Sequence, residues 1–300
     1  MIPRRVLSRH LPRPTCSLSA RRFLSATVQN AQAPMPESPA ARPHAIDPRW
    51  LTMMKRRIGR CMMFGLKPAQ IDEGGQILQQ LARDWRELLA GSEGFLTDEK
   101  RRGLFRHNVV WGEQDIMIIL TYFQGHVNNV TYVRYAETAR VNWTRNIGIH
   151  IDPEHRKEWL NMVSSTGIGL ILRSMKIDYK FPMKSPDKIT VYQKLVHDPT
   201  SPLSPQSAFQ LHVMILSEAR QRPAARCHEE NVIYDYQKNQ KASQFPPFIL
   251  KQFKTIWDLQ EKSKSEWQQR ILDIESRVRT LEVESWDRAD AVEDTGSAKQ

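Results

Sequence analysis

The residues best suited to chemistry lie between Gly125 and Arg140, in the run Gly-His-Val-Asn-Asn-Val-Thr-Tyr-Val-Arg-Tyr-Ala-Glu-Thr-Ala-Arg. Asn128 or Asn129 is placed to cap a helix, because an Asn side chain accepts from the orphan N–H groups of a first turn. Val130, Val133, Ala136, Ala139 and Trp143 then carry that helix into a core. A capped helix start gathers unpaired N–H donors and the positive end of the helix dipole, so it suits a polarised carbonyl or a developing oxyanion. His126, at the junction before the helix, either orients a substrate or serves as a hydrogen-bonded structural residue. Tyr132 and Tyr135 stand three apart and line either a pocket or the core. Glu137 and Arg140 are also three apart, the spacing of an ion pair on one helix face.

The elements that must position these residues follow from hydrophobic period. Trp50, Leu51, Met53, Met54, Ile58, Cys61, Met62 and Met63, interleaved with Lys55, Arg56, Arg57 and Arg60, predict a basic amphipathic helix. It either packs on the domain or faces a membrane or ribonucleoprotein surface. Pro68 suits a first helical turn, and Ile77, Leu78, Leu81, Trp85, Leu88 and Leu89 continue a second accessory helix to Gly91. After His107 the period shortens. Val109 and Trp111 predict a first strand, the capped helix follows, and strand-like runs then span Ile168 to Phe181, Lys188 to Val196, Phe209 to Leu216 and Asn231 to Tyr236. The prolines at 182, 186, 199, 202, 205 and 223 fall between or at the ends of these runs, where they disturb sheet pairing least. Pro246-Pro247 opens a C-terminal helix in which Trp267, Ile271, Ile274, Val278 and Leu281 form a short heptad seam. The seam either docks on the chain's own N-terminal helices or binds a partner.

Gly125, His126, Asn128, Tyr132, Tyr135, Glu137, Ala139 and Arg140 together resemble the hotdog thioesterases of the 4-hydroxybenzoyl-CoA thioesterase type. Their motif runs Asp-x-x-Gly-His-x-Asn into a helix with Tyr-x-x-Tyr and Glu-x-Ala-Arg. The resemblance implies an α+β hotdog fold, an antiparallel sheet wrapped around a central helix, here with added N- and C-terminal helices. It implies hydrolysis of an acyl-CoA thioester to acid and CoA, with Asp115 and His126 as catalytic residues. Gly125, Asn128, Asn129 and Tyr132 would contact substrate. Glu137 is a second carboxylate candidate, because another hotdog branch draws its carboxylate from the central helix. Coenzyme A enters as part of the substrate; no cofactor is implied. Hotdog subunits generally pair, so a homodimer or higher homo-oligomer is expected. This sequence departs from the motif in one respect: nine residues, Ile116 to Gln124, separate Asp115 from Gly125. The insertion either loops out and leaves Asp115 facing the helix, or extends the strand and brings Tyr122 to the carboxylate position, or is a translated intron. The alternative to catalysis is a retired hotdog scaffold in a mitochondrial assembly, such as a ribosomal one, with the C-terminal helix as partner surface. A hotdog dehydratase is a third reading, for which no motif is evident.

Composition bounds the rest. The chain has a net charge of +11, but residues 1–36 hold six Arg and no acid, leaving +5 for the remainder. Nucleic-acid binding is therefore not indicated by charge. The acid-free, Arg- and Ser-containing start fits a mitochondrial targeting segment over 1–36, with Arg22-Phe23-Leu24-Ser25 as a cleavage neighbourhood and the matrix as destination. A Pro- and Ala-rich linker follows over 37–48. Accessory helices are expected over 49–104, the hotdog domain over 105–245, the C-terminal helix over 246–287 and a disordered tail over 288–300. Cysteines 16, 61 and 227 fall at no metal-ligand spacing, and His228-Glu229-Glu230 has no second His at such a spacing, so no metal is expected. No apolar run reaches the roughly 18 residues of a membrane span.

Overall fold

Alternating apolar residues between Leu104 and Lys241 give a six-stranded, wholly antiparallel sheet, flanked by helices on both faces. The computed structural model describes residues 46–109 and 126–293. The strands are β1 (Leu104–Asn108), β2 (Ile168–Tyr179), β3 (Lys188–Leu195), β4 (Ala208–Ser217), β5 (Arg222–Asp235) and β6 (Gln240–Lys241). Their order is β1-β3-β4-β5-β2, with β6 pairing β5. The helices are α1 (Trp50–Met63), α2 (Pro68–Arg86, prolonged by a π-helical turn over Glu87–Gly91), α3 (Asn129–Asn146), the short α4 (Arg156–Asn161) and α5 (Pro247–Glu284). No described helix is long and apolar enough to cross a membrane.

The helix predicted from the Asn pair is α3, and Asn128 is its cap. It lies on one face of the sheet, where Tyr132, Tyr135, Ala136 and Ala139 pack with Ile189 and Val191 of β3, Val213 and Ile215 of β4, and Ala225 and Cys227 of β5. Small residues bring helix and sheet close together. A Cβ on Gly103 would lie 2.5 Å from the Gln193 Oε1 and 2.6 Å from the Ala139 Cβ, so only glycine fits there. Farther along the same face, Trp143, Ile147 and Trp159 meet Leu195, Phe209, Leu211 and Ile233, together with Ile249, Phe253 and Ile256 of α5.

The opposite face is covered by a second helical layer. Tyr192, Met214 and Leu216 project into a core of Trp50, Leu51, Met54, Ile58 and Cys61 from α1, Ile77, Leu81 and Trp85 from α2, and Ile271, Ile274, Val278 and Leu281 from α5. The heptad seam therefore docks on the chain's own N-terminal helices, and its reading as a partner surface is corrected. The basic face of α1 is also committed in part: Arg57 forks onto Glu282 at 2.7 and 2.8 Å, Lys55 donates to Gln221 at 2.6 Å, and Arg60 lies over the Trp286 ring at 3.6 Å.

With 38 residues, α5 is about 57 Å long at 1.5 Å per residue, enough to serve both layers. It passes from one face to the other at Gln260. That side chain accepts from the Leu195 N–H at 2.9 Å and donates to the Leu195 carbonyl at 3.1 Å, mimicking a strand partner beyond the end of short β1.

Two strand expectations shift. The first strand lies earlier than Val109 and Trp111: β1 ends at Asn108, Val109 adds one bond to the Asp187 carbonyl at 2.9 Å, and Trp111 falls outside the described residues. The run placed at Asn231 to Tyr236 is the end of a longer strand that begins at Arg222. Pro223 sits inside it, opposite Leu216 beside a register shift, which is where a sheet tolerates a missing donor.

Candidate active site at the start of the central helix

The chain enters α3 through an extended Asn128, whose Oδ1 accepts from the Val130 N–H at 3.1 Å. Its carbonyl accepts from the Thr131 N–H at 3.0 Å. The Asn129 amide at the first helical position is not bonded to any described residue. Asn129 and Val130 are exposed.

Neighbouring elements pin this terminus. Val127 donates its N–H to the Met183 carbonyl at 2.8 Å, and the Met183 N–H donates to the Tyr132 hydroxyl at 3.0 Å. From the end of β2, Tyr179 donates its hydroxyl to the Asn129 carbonyl at 3.2 Å and stands edge to face with Tyr132, ring centroids 5.2 Å apart. Tyr132 is 1% exposed, and its burial pushes the phenol pKa up. Tyr132 is thus an anchor between helix and sheet in this structure. His126 is half-buried, with Nδ1 at 3.3 Å from the Val127 carbonyl.

The structure brings His126, Asn128, Asn129 and Tyr132 together at one helix end. Asp115 and Gly125 lie outside the described residues, as does the insertion from Ile116 to Gln124. Glu137 is exposed, two turns or about 12 Å along the helix from Asn129. Its expected ion pair is corrected: Arg140 turns toward the sheet and pairs with Glu229 of β5 at 2.9 Å, both side chains being buried. Burial pushes the Glu229 carboxyl above its ordinary range, against the pull of Arg140. Thr144, Gln193 and Asn231 are also buried at the helix–sheet boundary, so this boundary is polar along part of its length. The strand period carried a signal for Glu229. Cys227, Glu229, Asn231 and Ile233 alternate on one face, which places an acid indoors once the strand is known to begin at Arg222. Tyr179 carried no such signal, since only the fold brings the end of β2 to the start of α3.

A cavity of about 240 Å³ opens elsewhere, bordered by Leu195, His197, Phe209, Glu230 and Phe245. None of the expected site residues lines it.

Comparison with curated proteins finds no match. Solved structures to which this chain is similar include a candidate thioesterase from Pseudomonas aeruginosa, 23% identical over 48% of this chain and 91% of that one, TM-score 0.35. A thioesterase from Thermus thermophilus, solved with coenzyme A and zinc, is 19% identical over 55% and 98%, TM-score 0.38. A hypothetical protein from Staphylococcus aureus in complex with CoA is 11% identical over 54% and 88%, TM-score 0.39. From the end of β1 into the first turns of α5, residues 109–253 match the family model of the thioesterase-like superfamily.

Proposed function

We propose that the chain is a hotdog acyl-CoA thioesterase that works at the N-terminus of α3. The observation that carries this reading is the start of that helix: Asn128 caps it, Tyr132, Tyr179 and Met183 hold it, and the Asn129 N–H has no partner among the described residues. A carbonyl oxygen lodged there gains negative charge as the thioester carbon is attacked, and a preorganised N–H at a helix start stabilises that charge. Asp115 supplies the carboxylate that takes a proton from the attacking water. The tetrahedral intermediate then expels the CoA thiolate and leaves the free acid. His126, next to the helix start, positions the carboxylate or the substrate. The superfamily match of residues 109–253 supports this class of reaction.

The working unit in this reading is a dimer in the mitochondrial matrix. β2 pairs only with β5 and leaves the other edge of its 12 residues without a strand among those described. An unprotected edge of this length invites pairing with a second copy. The matrix location rests on the acid-free, six-Arg start of the chain. The scaffold reading loses one of its supports, because the heptad seam is buried within the chain.

The test is hydrolysis of a panel of acyl-CoA thioesters, read as thiol release. The wild-type protein should turn over at least one acyl class, and Asp115→Asn should abolish that activity while the protein melts as before. Asn128→Ala should cost about 1 kcal/mol of stability as a lost cap and should lower kcat as well. Undiminished activity in Asp115→Asn would remove that residue from the mechanism, and a folded wild-type dimer inert toward every acyl-CoA would overturn the enzymatic reading.

A further inference from the structure

Two tyrosines meet at the start of α3, and their surroundings differ. Tyr132 is 1% exposed, and its hydroxyl accepts from the Met183 N–H at 3.0 Å. Losing that hydroxyl strands a buried donor, which is a cost to the fold. Tyr179 is the last residue of β2 and is 44% exposed. It follows Met175 and Ile177 on the face of the strand turned toward α3, opposite Ala225 of β5. Its ring stands edge to face with Tyr132, centroids 5.2 Å apart, and its hydroxyl donates to the Asn129 carbonyl at 3.2 Å.

That carbonyl belongs to the first residue of the helix, whose own N–H has no partner among the described residues. In the helical pattern the same carbonyl receives the Val133 N–H, so Tyr179 is its second donor. Two peptide planes set the direction of the Asn129 backbone. The plane before it is held through the Asn128 carbonyl, which accepts from the Thr131 N–H at 3.0 Å. The plane after it is held by the Val130 N–H on Asn128 Oδ1 at 3.1 Å and by the Tyr179 hydroxyl. The bonds through Asn128 lie within the turn itself, whereas Tyr179 ties the turn to the sheet. First turns open readily because their N–H groups lack intrahelical partners, and a tie to a strand opposes that motion. Burial, with Cys227 nearby, pushes the Tyr179 phenol up, so the hydroxyl keeps its proton at neutral pH and remains a donor.

We propose that Tyr179 is a positioning residue for thioester hydrolysis: its hydroxyl, bonded to the Asn129 carbonyl, holds the first turn of α3 and keeps the Asn129 N–H in the fixed place that oxyanion stabilisation requires. The inference rests on the thioesterase reading above. It adds a division of labour in which Tyr132 serves the fold and Tyr179 serves turnover.

The test uses Tyr179→Phe in the full-length protein, which keeps the ring and removes the hydroxyl. With an acyl-CoA that the wild-type protein hydrolyses, kcat should fall about 10- to 100-fold, while KM stays within about twofold. The melting temperature should stay within about 3 °C of wild type, whereas Tyr132→Phe should lower it further. Deuterium exchange of the peptide covering residues 128–136 should be faster in Tyr179→Phe, with exchange in β3 and β4 unchanged. That second readout is independent of turnover. Wild-type kcat in Tyr179→Phe, or exchange over 128–136 equal to wild type, overturns the inference. A raised KM at unchanged kcat also overturns it, because Tyr179 is then a substrate contact. A wild-type protein inert toward every acyl-CoA sinks the thioesterase reading, and faster exchange in the variant would in that case still support the tie between β2 and α3.

Discussion

The two helical layers hold the sheet by different means. Outside, α1, α2 and the second half of α5 interlock through apolar side chains, and part-exposed ion pairs sit at the rim, as in Arg277–Glu73 at 2.6 Å. Inside, α3 approaches closely through Ala136, Ala139 and the facing Gly103, and it seals an ion pair beneath itself, Arg140–Glu229. A rim pair in contact with water contributes little to stability, whereas a sealed pair punishes loss of either partner. The outer layer is therefore a stabilising clamp. The inner layer fixes the register of one helix, and with it the direction in which that helix start points.

Breaking the sealed pair should give the largest effect. Glu229→Gln leaves Arg140 buried without a counter-charge and should cost about 3–5 kcal/mol, measured by the denaturant midpoint. The double variant Arg140→Met/Glu229→Met should recover most of that loss, because paired apolar replacements of similar volume are close to neutral. If the double variant is as unstable as the single one, the pair is not what holds α3.

The next effect belongs to the outer layer. Ile274→Ala empties a fully buried position in the seam and should cost about 2–5 kcal/mol, leaving turnover per folded molecule unchanged at a temperature where the variant is native. A drop in specific activity in the folded variant would show that the two layers are coupled.

The smallest effect is also in the outer layer and depends on pH. Arg57, by hydrogen bond and charge, holds the Glu282 carboxyl below its ordinary value. The stabilisation is then complete above the unfolded-state value near 4.5 and is lost as pH falls through the depressed folded value. It should amount to about 1–2 kcal/mol, because Glu282 is buried while Arg57 stays about one-third exposed. Arg57→Gln should lower stability at pH 7 and flatten this part of the acid limb; an acid limb identical to that of the wild-type protein would assign the pair no role.

Much of the helical framework was legible from spacing. The Asn pair marked the start of α3, Pro68 and Gly91 bounded the second accessory helix, and Pro246-Pro247 marked the start of α5. β5 was read short because Pro223 argues against a strand interior, and a register shift beside that proline is a tertiary event. The partners of charged residues were misread for a related reason. Glu137 and Arg140 satisfy the helical pairing rule, but Arg140 lies on the buried face of α3, where Glu229, 89 positions later in the chain, is the nearer acid.

The sequence alone determined where the long helices and most of the strands lie, where α3 begins, and that the heptad seam needed an apolar partner, because period, capping and proline placement act over a few residues. Only the tertiary structure decided that the seam's partner is the chain itself, that a second layer of helices covers the outer face of the sheet, and that Tyr179 reaches the start of α3. Each of these depends on which strand edges and helix faces meet, and long-range packing sets those meetings without leaving a local pattern in the chain.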